Sequence, residues 1–528
     1  MAESDLEAPR VQFPETFNAA TAFVDDNVAK GRGNNVAIYY QDQQLTYKYV
    51  QRLVNKTGNA LKALGVDMEN RVLLLLFDCP ELICSFFGAI KIGAVPIPTN
   101  TMLKPQDYEY LLNDSRAKVV IVSEGLADQI EAVRDRLNYL KHVVVVGKAR
   151  PGQLSYEELV EKASPELEAA KTSKDDAAFW LYSSGTTGFP KGAVHLQHDM
   201  VYSSEYYAKS ILKINENDIT FSVAKLFFAY GLGNAGYFPF SVGAATVLMP
   251  DRPEPLKIYE TIHKYKPTIF YCVPTAYASM LQVENAKEKY DLSSIRVCVS
   301  AGEALPAAVF NRWKEKFGLE ILDGIGSTEI LHIFLSNRPG KVKPGSSGQL
   351  VPGYEAKIVD EDGNEVPTGE VGNLRIKGDS ITAYYWNKHE KTNSTIIGEW
   401  IATGDKYHRD EDGYYWYAGR SDDMIKAGGI WVSPVEVENT IIEHPAVLEC
   451  GVIGATDKDE LVKPKAFVVL REGIQPTPEL AREIQDFVKS KIAPYKYPRW
   501  LQFVPELPKT ATGKIQRFKL RNLETSNQ

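Results

Sequence analysis

"AAFWLYSSGTTGFPKGAVHLQHDMVYSSEYYAKS", Ala177–Ser210, is the stretch on which the reading of the whole chain turns. It opens with the apolar, strand-like AAFWLYSS. Tyr182–Gly192 then gathers Gly185, Gly188, the hydroxyls of Ser183, Ser184, Thr186 and Thr187, and Lys191 into one loop. The segment from Lys191 onward is expected to be helical. A strand, a Gly/Ser/Thr loop and a helix present backbone N–H groups, hydroxyl donors and one positive charge to an anion. The Walker A pattern G-x-x-x-x-G-K-[ST] does not fit. Counted from Gly185, its second glycine falls on Pro190, and Gly192 rather than a hydroxyl follows Lys191. The loop reads as a phosphate site that lacks the usual magnesium-binding hydroxyl.

Length and composition set the frame. At about 100–200 residues per domain, 528 residues imply more than one domain. With 44% hydrophobic and 24% charged residues, the chain can bury its own cores without disulfides or metals. A net charge of −8 and no long basic stretch argue against a nucleic-acid partner. Cys79, Cys84, Cys272, Cys298 and Cys450 are scattered, form no CxxC or His/Cys zinc pattern, and fit a reduced, cytoplasmic setting. The N-terminus begins acidic and lacks the apolar run of a signal peptide. The most apolar stretch, VLLLLFDCPELICSFFGAIKIGAVPIP, is interrupted by Asp78, Pro80, Glu81 and Lys91. It reads as strand, helix, strand rather than as a membrane span, and no membrane partner is expected.

Runs such as KVVIVSE, HVVVVG, AATVLMP, PTIFYCVP and IRVCVSAGE alternate with amphipathic segments. This predicts an α/β fold of layered, largely parallel sheets. From about Val342 to Arg420, turn signals such as EDGN and PTGE recur, which predicts a small antiparallel β-rich subdomain. A hinge is expected in SDDMIKAGG, after YYWYAGR. Beyond it, a compact α+β unit begins at Ser433-Pro434-Val435-Glu436, a serine cap with Glu436 closing a capping box. Val435, Val437, Ile441 and Ile442 fit one buried helix face, ended by Glu443-His444-Pro445. VLECGVIG and KAFVVL read as strands, and PELAREIQDFVKSKI as a second helix. The expected division is a large N-terminal domain, residues 1–420, and a small mobile C-terminal domain, residues 421–528.

YSSGTTGFPKG does not stand alone. GIGSTE (Gly324–Glu329), TGD (Thr403–Asp405), GRSDDMIKAGG (Gly419–Gly429) and PKTATGKIQR (Pro508–Arg517) follow it in order. Together they resemble the motifs of the adenylate-forming superfamily of acyl-CoA synthetases, peptide-synthetase adenylation domains and beetle luciferases. The resemblance runs from about Phe17 to Lys519. It implies ATP, Mg²⁺ and coenzyme A as cofactors and co-substrates. It also implies attack of a carboxylate on the α-phosphorus, where donors and a cation must gather negative charge.

The resemblance assigns residues as follows. Glu329 would hold Mg²⁺ through a hard oxygen, and Thr328 would donate to the α-phosphate. Gly302, Glu303 and Gly324 would line the nucleotide. Asp323 would accept from the adenine amino group. Ile325 replaces the Tyr or Phe that stacks on adenine in most relatives, so an aliphatic face would pack there. Asp405 would accept from both ribose hydroxyls, with Arg420 as a second ribose contact. Lys514 would bridge carboxylate and phosphate during adenylation. Rotation about Asp422 would then bring Lys426, Gly428 and Gly429 beside the pantetheine of CoA.

The acyl pocket is expected from KLFFAYGLGNAG and from the residues around GSTE. Phe227 and Phe228 (a histidine in many relatives), Ala229, Tyr230, Gly231, Gly326, His332 and Ile333 suggest a compact slot with room left by the small residues. LFFAYGLGN with GIGSTEILHIFLSN resembles the benzoate–CoA ligases, which implies an aromatic carboxylate as the small-molecule partner. His332 would hydrogen-bond a ring substituent or a core group. His195 and His198 receive no role. Other acids (a substituted benzoate, a cyclohexene carboxylate, a short fatty acid), a carrier-protein adenylation module and a luciferase-like oxygenase remain rivals. No GxDS carrier site follows Lys519. A monomer or a homodimer is expected.

Overall fold

The structure, a computed structural model, describes residues 8–183, 189–421, 423–427, 430–457, 462–493, 496–509 and 515–525. The apolar runs form two parallel-rich sheets. One orders its strands Val95–Pro98, Arg71–Leu75, Val119–Ser123, His142–Val146 and Leu154–Ser155, all neighbours parallel. The strand–helix–strand reading of its most apolar stretch holds, with helix Pro80–Lys91 crossing between Arg71–Leu75 and Val95–Pro98. A nine-stranded sheet runs Gln349–Leu350, Ile333–Ser336, Ile321–Gly326, Val297–Ser300, Ile269–Cys272, Ile219–Ser222, Ala245–Leu248, Val36–Tyr40, Gln43–Thr46. Neighbours from Ile321–Gly326 across to Val36–Tyr40 are parallel, and the outer strands are antiparallel. Strands buried on both faces carry β-branched runs because neither face meets water.

The segment after the phosphate loop corrects one expectation. Lys191–Leu196 is a strand, not a helix, and pairs antiparallel with Ala177–Ser183, Ser183 opposite Lys191. Tyr384–Tyr385 adds a short third strand to this hairpin. The helix begins only at Asp199. The two strands flanking the expected phosphate loop are thus paired with each other, and no helix starts directly behind the loop.

Antiparallel strands Glu355–Val359, Gly372–Lys377, Trp400–Arg409, Ile396–Ile397 and Tyr415–Arg420 form the β-rich unit. Beyond it, Val447–Thr456 pairs antiparallel with Val462–Leu470, which pairs parallel with Trp500–Phe503. Helices Pro434–Ile442 and Pro478–Lys491 bury Val437, Ile441, Ile484 and Val488 against this sheet. Ser433 Oγ accepts from Glu436 N at 3.1 Å. The expected reciprocal bond from Glu436 is replaced: its carboxylate accepts from Lys496 Nζ at 2.6 and 2.8 Å. A charge-assisted bond to a lysine outcompetes a neutral backbone donor. Among the described residues, the core clusters built on the large sheets reach no further than Tyr417, and those of the small unit begin at Ile425.

Candidate active site

The C-terminal ends of parallel strands collect the loops of the site, as expected for open α/β sheets. Phe227–Tyr230 follow Ile219–Ser222, Gly302 and Glu303 follow Val297–Ser300, and Gly324–Glu329 close Ile321–Gly326. The hairpin of Ala177–Ser183 and Lys191–Leu196 meets this edge at Glu329. Glu329 Oε1 accepts from Ser183 Oγ at 3.1 Å and from Tyr385 OH at 2.8 Å. Lys191 Nζ lies 4.6 Å from the Tyr385 ring centroid. Burial lowers the Lys191 pKa, and Glu329 opposes that effect. Burial and the neighbouring Glu329 carboxylate raise that of the Tyr385 phenol. The result is a carboxylate, an ammonium and two hydroxyls around one point, all hard donors or charges suited to a triphosphate and its cation.

Asp405 and Arg420 face each other across paired strands, with Arg420 Nη1 donating to Asp405 Oδ1 at 3.2 Å and to Thr403 O at 2.9 Å. Gly404, at φ +75°, lets the guanidinium lie over the backbone, since a Cβ there would come within 2.7 Å of it. Arg420 also acts electrostatically on Lys191 and Tyr385, which ties the expected ribose pair to the groups around Glu329. Asp323 is buried. Its Oδ2 accepts from Leu305 N at 3.3 Å, while Oδ1 is buried without a hydrogen-bond partner among the described residues. Burial pushes its carboxyl up to about 8. Ile325 is half-buried beside it.

Around the expected acyl slot, Phe227 and Phe228 pack at 4.4 Å, and Tyr230 lies 5.5 Å from His332. His332 is buried, and burial lowers its pKa to about 3, so the ring is neutral. Its Nε2 lies 3.2 Å from Tyr230 O and 3.1 Å from Asn234 Oδ1, both acceptors in this arrangement, so the proton sits on Nε2. Nδ1 is left as a buried acceptor with no partner among the described residues. Asn234 is presented by a wide π-type turn, Leu232–Tyr237. Ala229 and Ile333 belong to the surrounding core. Gly231 corrects an expectation. A Cβ there would overlap the Lys225 carbonyl, so the glycine admits backbone rather than leaving room for a ligand. Gly326 acts in the same way, since a Cβ would come 2.5 Å from His332 O across the strand pair.

Residues 25–386 match the model of the AMP-binding enzyme family, and residues 436–514 match the AMP-binding enzyme C-terminal domain. This chain belongs to the AMP-binding enzyme family. It is 50% identical over 516 residues to a benzoate–CoA ligase of Thauera aromatica, covering 97% of each chain. It is 44% identical to a 4-hydroxybenzoate–CoA/benzoate–CoA ligase of Rhodopseudomonas palustris, over 96% of this chain and 94% of that one. Its structure superposes with a TM-score of 0.95 on an anthranilate CoA ligase solved in complex with anthranoyl-AMP, at 48% identity over 98% of each chain. The TM-score is 0.89 for a benzoate CoA ligase from Burkholderia xenovorans, at 48% identity over 96% of this chain and 100% of that one.

In this AMP-binding enzyme the structure brings Ser183, Lys191, Thr328 and Glu329 together, sets Asp405 against Arg420, and groups Tyr230 with His332. Ser184, Gly185, Thr186, Thr187, Asp422, Gly428, Gly429 and Lys514 lie outside the described residues. Lys426 lies on strand Ile425–Ala427, whose partner is Ile430–Val432. Two contacts at the candidate site were not expected. Tyr385 reaches Glu329 only because its short strand pairs with the phosphate hairpin, and AYYWN carries no signal of that pairing. His195 reaches the Thr328 carbonyl at 2.8 Å, and a lone histidine in GAVHLQ gives no hint of a partner 133 residues away. Among the described residues, no helix is long and apolar enough to cross a membrane.

Proposed function

We propose that this AMP-binding enzyme converts benzoate, or a closely related aromatic carboxylate, with ATP and CoA into aryl-CoA, AMP and pyrophosphate. The observation that carries this is the Ser183–Lys191–Glu329–Tyr385 node, set three residues before His332, whose ring lies against Tyr230 beside the Phe227–Phe228 pair. In the first half-reaction a carboxylate oxygen bonds to the α-phosphorus of ATP and the bond to the bridging oxygen breaks, releasing pyrophosphate. In the second, the CoA sulfur bonds to the acyl carbon, the thiol proton leaves, and AMP departs with its oxygen. Loop donors, Lys191 and Lys514 offset the charge gathered in the first step. Asp405 and Arg420 hold the ribose, and the adenine amino group is assigned to Asp323 Oδ1, which has no hydrogen-bond partner among the described residues.

Glu329 with the Ser183 hydroxyl forms an all-oxygen set, which fits Mg²⁺. When bound there, the ion neutralises phosphate charge. We divide the chain at residues 420 and 421, with the C-terminal unit turning about Asp422 to exchange Lys514 for the Lys426–Gly429 segment. Five free, buried thiols suit a cytoplasmic enzyme.

A panel of carboxylic acids incubated with ATP and CoA, read as pyrophosphate released, tests this reading. Benzoate should give the highest kcat/KM, and preference for a short fatty acid would remove the aromatic assignment. A benzoate with a hydroxyl or amino substituent is a second reading. It is favoured by Nδ1 of His332, which has no partner among the described residues and which such a donor would satisfy.

A further inference from the structure

His195 stands on the inner strand of the phosphate hairpin with its side chain fully buried. Its Nδ1 lies 2.8 Å from Asp199 Oδ2, and its Nε2 lies 2.8 Å from the Thr328 carbonyl oxygen. Asp199 is equally buried. Its Oδ2 also accepts from Leu196 N at 3.1 Å, and His198 Nδ1 lies 2.9 Å from Oδ1. Burial pushes the Asp199 carboxyl up, but the contacts with His195 and His198 outweigh it and leave the group below its ordinary value. A carboxylate on one side and a carbonyl on the other are both acceptors. The ring is therefore held by both of its nitrogens, one against each oxygen.

The held peptide belongs to a strained turn. Leu331 takes φ +74° and ψ −44°, outside the regions a branched residue prefers. Such a turn persists only when its surroundings fix it. Ser327 Oγ accepts from Ile330 N at 3.2 Å, and Glu329 O accepts from Thr382 N at 2.7 Å. The hairpin therefore grips this turn twice, through Ser183 on the Glu329 side chain and through His195 on the Thr328 backbone.

We propose that His195, oriented by Asp199, is a positioning residue for adenylation, fixing the Thr328 hydroxyl and the Glu329 carboxylate against the phosphate loop. The proposal rests on the reading of Thr328 and Glu329 as phosphate and cation groups. A misplacement of such groups by about 1 Å is enough to slow chemistry by on the order of 100-fold. It leaves the second half-reaction, which needs no new phosphorus bond, intact.

The test is acid-dependent ATP–pyrophosphate exchange on the full chain. It compares His195→Phe, which keeps a ring beside Phe179 but removes both ring nitrogens, with His195→Gln, which keeps a polar amide at the position. The Phe variant should lose exchange kcat by about 10–100-fold with carboxylate KM within about twofold. It should still make thioester from supplied acyl-adenylate, and the Gln variant should recover most of the lost rate. A Phe variant with wild-type exchange, equal loss of both half-reactions, or no recovery with Gln overturns the proposal. If the Phe variant does not fold, Asp199→Asn is read by the same criteria. Wild type is assayed first. Exchange with another acid but not benzoate sinks the substrate reading alone, and the variants are then run with that acid. No exchange with any acid sinks the adenylate reading and this proposal with it.

Discussion

At the scale of single residues, the site is a set of charges whose ionisation is set by burial and neighbours. Glu329 accepts from two hydroxyls, so Glu329→Gln keeps its shape but loses the charge that a hard cation needs. Adenylation should fall by at least about 100-fold, with a higher Mg²⁺ requirement, measured by titrating Mg²⁺ in pyrophosphate release. Asp323 gives a pH-dependent signature. Its carboxyl is raised from 3.8 to about 8 in the folded chain. Between those values the folded state holds a proton that the unfolded state has lost, so stability falls as pH rises through that window. Asp323→Asn removes this dependence. Denaturant unfolding at several pH values should show the variant gaining on wild type as pH rises, and parallel curves would contradict the burial argument.

At the scale of elements, the hairpin and its neighbouring strands turn sequence motifs into a site. The parallel strands were legible because KVVIVSE, PTIFYCVP and IRVCVSAGE are short, β-branched and closed by turns. Lys191–Leu196 was not, because Gly192, Ala193, Val194 and His195 are all buried. A strand buried on both faces has no alternation to separate it from a buried helix. Glu329, Asp405 and Arg420 were marked by their motifs, whereas Tyr385 and His195 act through pairings that no local pattern encodes. The role of Gly326 also emerges only from strand pairing. Gly326→Ala would press a Cβ against the His332 carbonyl and force the pair apart, at a cost of about 1–3 kcal/mol. Thermal unfolding should show the loss, and the acid KM should rise with it because His332 moves.

At the scale of the molecule, Arg517 and Arg521 tie the C-terminal helix to Asp423, next to the proposed hinge. Arg517 donates to Glu438 at 2.7 and 2.9 Å and lies 3.5 Å from Asp423, which also accepts from Arg521 at 2.9 Å. Burial raises the Glu438 carboxyl, and Arg517 opposes it. Arg517→Met leaves that acid without its partner, which should cost about 3–5 kcal/mol and impair both half-reactions, measured by denaturant unfolding and by each assay. Lys514→Ala should behave differently. On the proposed two-orientation reading it removes a charge used in only one of them, so adenylate formation should stop while thioester formation from supplied benzoyl-adenylate continues. Equal loss of both would count against a rotating C-terminal unit.

The most direct measurement is mass spectrometry of the enzyme incubated with benzoate, ATP and Mg²⁺ before and after CoA is added. Benzoyl-AMP and pyrophosphate should appear before CoA is added, then benzoyl-CoA and AMP in equal amounts after it. ADP and phosphate in place of AMP and pyrophosphate, or benzoyl-CoA formed without benzoyl-AMP ever appearing, would contradict the acyl-adenylate route.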